Sequence, residues 1–144
     1  MQIGGTKQFA APPERVWDAL VDPALLADFL PGMQSLEVVD ETHWSAVMRL
    51  PASPVSLTLH FELRERLRPD RALLIAQGKR LGGTARVETA FDLVAAGDGT
   101  DMTWAAEVAL GGTLSRLGTM LRPIAQQQAE RFLDRLERTL VEPR

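Results

Sequence analysis

Apolar and polar positions follow two different periods along this chain, and the change of period divides it. From Thr113 to Val141, Leu114, Leu117, Met120, Leu121, Ile124, Ala125, Ala129, Phe132, Leu133, Leu136 and Leu140 recur mostly at steps of three and four. That is the one-sided stripe of an amphipathic helix. Arg116, Gln126, Gln127, Glu130, Asp134, Glu137 and Arg138 fill the opposite face. If continuous, such a helix is about 42 Å long at roughly 1.5 Å per residue. A compact domain of this length is only about 37 Å across, so the helix spans the molecule and needs a long apolar surface to lie on. Pro123 falls inside the run and has no N–H for the carbonyl of Thr119, which predicts a kink or break there. A static bend is the plainer reading of it; a segment Leu114–Leu121 that shifts to admit a ligand is the alternative.

Upstream the period is two. Leu36 and Val38 form one alternating set; Trp44, Ala46, Met48 and Leu50 form the next; Val55, Leu57, Leu59, Phe61 and Leu63 follow. Ala72 to Gln77 is a short apolar run. Ala85, Val87, Thr89, Phe91 and Leu93 alternate again, as do Met102, Trp104, Ala106, Val108 and Leu110. Turn signals separate these runs: Asp40-Glu41-Thr42, Pro51 to Pro54, Arg68-Pro69-Asp70, and the Asp-Gly hairpin word within Ala95–Gly99. Before them, Gln2 to Ala10 reads as a first strand. Glu14–Val21 and Ala24–Leu30 read as two short helices, opened by Pro12-Pro13, divided by Asp22-Pro23 and stopped by Pro31-Gly32. Short loops between strands require antiparallel pairing, and clean alternation means one covered face and one wet face. The long helix is the only cover large enough, and Thr113 would be its N-cap. The expected class is α+β, a single domain over residues 1–144.

Composition narrows the chemistry. A formal net charge of -3 argues against a general nucleic-acid binder. The absence of cysteine excludes disulfides, thiolate metal sites and cysteine nucleophiles. Two histidines, His43 and His60, cannot build a histidine metal site by themselves; His60 falls on the outward set and His43 at a turn, so both read as solvated. No signal-peptide pattern and no run of eighteen apolar residues is present, so a cytoplasmic protein without a membrane span is expected.

The words Ala11-Pro12-Pro13-Glu14-Arg15-Val16-Trp17-Asp18-Ala19-Leu20, then Asp22-Pro23, then Leu30-Pro31-Gly32-Met33-Gln34-Ser35-Leu36-Glu37, resemble the CoxG family of carbon monoxide dehydrogenase subunits. That family belongs to the START-like, or SRPBCC and Bet v 1-like, superfamily. Gly111-Gly112 and Leu117-Gly118 fit the same pattern, and the likeness spans essentially the whole chain. The resemblance implies a helix-grip fold: a curved seven-stranded antiparallel sheet wrapped around the long C-terminal helix, with two short helices after the first strand and a cavity between sheet and helix. It implies lipid-, sterol-, quinone- or polyketide-like ligands, with cyclases and hydrolases a minority. It further implies a link to assembly or membrane recruitment of a molybdenum-containing dehydrogenase, and a membrane tail in family members proper. The Pro31-Gly32-Met33 loop would lie near the cavity mouth.

The inward stripes then name the cavity lining: Trp17, Phe29, Leu30, Met33, Met48, Leu59, Phe61, Phe91, Trp104, Leu117, Met120, Leu121, Ile124 and Phe132. For any one of them ordinary core filling is the plainer reading. Unbranched Met33, Met48, Met102 and Met120 favour an adaptable pocket. Arg49, Arg64 and Arg86 read as part of a mixed solvated face, and Lys79-Arg80 as a solvated turn. No inward acid, base or nucleophile is visible, so no catalytic residue, metal or cofactor is assigned. The expected function is non-catalytic binding of a hydrophobic small molecule. The alternative is an accessory protein docked on an oxidoreductase, with a homodimer left open.

Overall fold

The computed structural model describes residues 1–29, 32–49, 56–80 and 82–141. Among them the chain runs β1 (Gln2–Phe9), α1 (Pro13–Leu20), α2 (Pro23–Phe29), β2 (Met33–Val38), β3 (His43–Arg49), β4 (Ser56–Leu67) and β5 (Arg71–Arg80). It continues through β6 (Gly83–Ala96), β7 (Gly99–Gly112) and a 3-10 turn at Ser115–Leu117 to α3 (Gly118–Val141). The strands form one antiparallel sheet in the order β1-β7-β6-β5-β4-β3-β2. Six strands follow one another as a meander, and β1 closes beside the last. This is the helix-grip arrangement.

Local chemistry places the ends. Pro13 sits at the start of α1, where its missing N–H costs nothing. Asp22 Oδ1 accepts the Ala24 N–H at 3.0 Å and caps α2. The β6–β7 turn consists of Gly97 and Asp98, one residue earlier than the Asp-Gly word implies. Gly97, with φ 59°, supplies the left-handed conformation that a two-residue hairpin turn needs.

Pairing register aligns the inward positions into continuous rows. Gly5, Trp104, Phe91 and Ala72 face one another across β1, β7, β6 and β5. Val108, Val87, Ala76, Phe61 and Trp44 do so from β7 to β3. Trp44 and Phe61 stack with ring centroids 5.8 Å apart. Register shifts between Met33 and Ser35 and between Leu63 and Glu65 interrupt the ladder, and such bulges sharpen strand bending. On the convex face Arg71 pairs with Glu65 and Asp92, Arg86 with Glu88, and Arg64 with Glu62, which makes a mixed charged surface.

The terminal helix starts later than its sequence reading, and Pro123 does not break it. It starts at Gly118, because Thr113 and Leu114 turn and Ser115–Leu117 are wound as 3-10; Thr113 is not its cap. It also runs through Pro123 without interruption. Thr119 and Pro123 are both exposed, so water can satisfy the carbonyl that proline leaves without a donor. Its second half packs into the core through Phe132, Leu133, Leu136 and Leu140, beside Val16, Trp17 and Leu20 of α1. Of the strands, α3 lies chiefly against β1. The loop Pro51 to Pro54 lies outside the described residues.

Candidate functional site

The concave face is not uniformly sealed. At one end Phe9, Ala11, Leu63, Ala72, Leu93 and Met102 are buried under α1 and the second half of α3. Across the middle and toward the other end, Leu74, Ala76, Val87, Thr89 and Leu110 stay partly exposed although they point inward; so do Met33 and Met48 at the rim, and Leu59. These side chains lie on the concave face without being closed over by the rest of the described chain.

The residues named from sequence divide accordingly. Phe61, Phe91 and Trp104 form buried wall, while Met33, Met48, Leu59 and Leu121 are half-buried. Trp17 and Phe132 belong to the packed core, and the Trp17 indole donates to the Arg71 carbonyl at 3.1 Å. Met120 and Ile124 are not brought to the concave face: they stand on the outer side of α3, 69% and 43% exposed. Leu30 and the side chains of Phe29 and Leu117 lie outside the described residues. Leu36, Leu74, Val87, Thr89 and Leu110 share the inward face and are also only partly buried; alternation marks all but Leu74, which falls in the unbroken apolar run Ala72 to Gln77.

A second feature lies along the seam of β1 and α3. The edge strand would otherwise leave backbone groups unpaired. Gln126 completes it: the Gly4 N–H donates to Gln126 Oε1 at 3.2 Å, and Gln126 Nε2 donates to the Gly4 carbonyl at 2.9 Å. Arg122 Nε donates to the Gln2 carbonyl at 3.2 Å. Lys7 shares the inward register, opposite Met102. Its ammonium reaches out to Asp134 at 2.7 Å and Glu137 at 3.3 Å. The hydrogen bond to Asp134, more than any other cause, raises its pKa above the usual lysine value. Beside these contacts is a cleft of about 370 Å³, lined by Gly5, Thr6, Lys7, Trp104, Gln126, Glu130, Leu133 and Asp134.

The histidines sit apart from both features. His43 Nδ1 lies 3.1 Å from Asp40 Oδ1 at the β2–β3 turn, and His60 is exposed. The Asp40 carboxyl is pushed down to about 2, mainly because it accepts the Thr42 N–H. Among the described residues no three His, Asp or Glu side chains gather where a metal ion could sit, and no helix is long and apolar enough to cross a membrane.

Comparison with known proteins follows the same outline. The sequence pattern of the family described as the CoxG subunit of carbon monoxide dehydrogenase matches residues 5–141. No curated protein matches. Among solved structures, a conserved protein from Geobacillus kaustophilus superposes with a TM-score of 0.85 at 22% identity, covering 97% of this chain and 95% of that one. A START superfamily protein from Mycobacterium smegmatis gives 0.73 at 16% identity, with 96% of each chain covered. Ara h 8.0201 gives 0.68 at 12% identity, covering 94% of this chain and 97% of that one.

Proposed function

This chain belongs to the CoxG family of carbon monoxide dehydrogenase subunits, and from that premise we propose that it binds a hydrophobic small molecule between the sheet and α3 without transforming it. The observation that carries the reading is the set of partly exposed inward positions Leu59, Leu74, Ala76, Val87 and Leu110. A folded core normally closes over such side chains, and a void without partner atoms loses dispersion energy. A lipid-, quinone- or polyketide-like ligand would supply those contacts. The half-buried methionines Met33 and Met48 at the rim would adapt to its shape.

The test uses a hydrophobic benzoquinone and a long-chain fatty acid as probes. Native mass spectrometry is expected to show one bound molecule, and the melting temperature to rise. At a hundredfold excess over Kd the gain is about 2.7 kcal/mol, worth roughly 2–4 °C per kcal/mol for a chain near this size. Leu59→Arg should remove the effect. Absence of any adduct and of any melting shift with both probes would falsify the reading.

One observation favours a second reading, that of an accessory protein docked on an oxidoreductase. Met120 and Ile124 are large, apolar and exposed on the outer face of α3. At roughly 100° per residue, Arg131 and Arg138 continue the same stripe. Such a face suits an acidic partner with an apolar knob. Ile124→Glu should then abolish co-purification of a dehydrogenase while leaving probe binding intact.

A further inference from the structure

We propose that the seam between β1 and α3 holds a second binding site, distinct from the one proposed between the sheet and α3, for a compact organic cation that also carries an oxygen acceptor, such as an amino alcohol. Trp104 is 4% exposed, so nearly all of its indole is enclosed. Its Nε1–H nevertheless has no hydrogen-bond partner among the described residues. Every fully buried described side-chain nitrogen or oxygen does have a partner. The indole N–H is therefore not sealed off; it faces the cleft that Trp104 helps to line. Gly5 keeps it uncovered, since a β-carbon there would stand 3.3 Å from Nε1. The N–H is open to the cleft, where an oxygen atom of a ligand can take the place of water as its acceptor.

The charge of the lining selects the rest of the ligand. Lys7 is the ammonium of the cleft, and it is already held between Asp134 and Glu137. Glu130 has no ion-pair partner among the described residues, and the bond to Lys7 engages only Oδ1 of Asp134. Carboxylates thus outnumber ammonium groups, which disfavours an anion and favours a cation. A volume of about 370 Å³ is at the small end for a ligand pocket. Trp104 and Leu133 form the inner wall; Trp104 also belongs to the buried wall of the concave face, while Lys7, Gln126, Glu130 and Asp134 belong to the cleft alone. The proposal does not depend on what binds at the concave face.

The test is nuclear magnetic resonance on the whole chain. Trp17, Trp44 and Trp104 give three indole N–H signals, and the Trp17 N–H is already occupied by the Arg71 carbonyl. Titration with ethanolamine should move the Trp104 signal saturably and leave the Trp17 signal in place. Acetate should move neither. Glu130→Gln, an exposed helix position, should weaken ethanolamine by about tenfold, as expected for loss of a charge-assisted contact. Gly5→Ala, provided the three indole signals show it folded, should abolish the shift. A Trp104 signal that does not move, moves without saturating, moves equally with acetate, or moves undiminished in Glu130→Gln overturns the proposal.

Discussion

At the scale of the residue, Gln126 shows how one side chain finishes a sheet. Its amide presents an acceptor and a donor to Gly4, copying the pair of bonds that a further strand would make. Truncating it leaves two edge groups to water. Gln126→Ala is expected to cost about 1–2 kcal/mol, from two ordinary hydrogen bonds in a partly buried place. Urea denaturation checks this through a lower midpoint with an unchanged slope. Lys7 belongs to the same seam. The register puts it on the inward face with Ile3 and Phe9, contrary to the expectation that no titratable group points inward. That it escapes the apolar interior by reaching Asp134 and Glu137 could not be read, because those carboxylates come from the other end of the chain.

At the scale of the element, α3 carries two apolar stripes that a list of apolar residues merges into one. Counting roughly 100° per residue, Phe132, Ala129 and Ala125 lie within about 40° of Leu136. Ile124 and Met120 lie about 120° and 160° away, on the far side. The structure agrees: Leu136 is fully buried and Met120 exposed. The angular separation was legible in the sequence; the step rule of three and four hid it, since steps of four also connect Met120 to Ile124. Leu136→Ala should therefore cost about 2–5 kcal/mol, as cavity-forming core truncations do. Met120→Ala should stay within about 0.5 kcal/mol, as for other surface changes. Paired thermal and urea unfolding of the two variants compares the halves of the helix directly.

At the scale of the whole molecule, the ion pairs set a pH range. Asp18 is held below its ordinary value chiefly by its hydrogen bond to Arg68, and Asp40 is pushed down to about 2. A carboxyl depressed in the folded state stabilises it above the unfolded pKa, and loses that contribution as pH falls through the folded pKa. Lys7 is raised, so its contribution is whole below the ordinary lysine value of 10.5 and fades as pH climbs through the folded pKa. The melting temperature should be nearly level between about pH 5 and 9, with an acid-side decline beginning below about pH 4. Lys7→Met should remove the alkaline part, and Asp18→Asn should blunt the acid part; melting curves across the pH series measure both. The exposed pairs are screened by salt, so the acid part should shrink in concentrated sodium chloride.

Periodicity, proline and glycine positions, and the opening words of the chain determined the element order, the antiparallel sheet, the inward rows and the family. Each of these rests on neighbours within a few residues, where backbone sterics and the alternation of side chains act directly. Tertiary structure alone decided that α3 rests chiefly against the edge strand, that Gln126 and Lys7 stitch the two together, and that the inward face is closed at one end and open across its middle. Those outcomes depend on sheet curvature and on contacts between the two ends of the chain. No local pattern encodes either, because both arise only when distant segments share the same space.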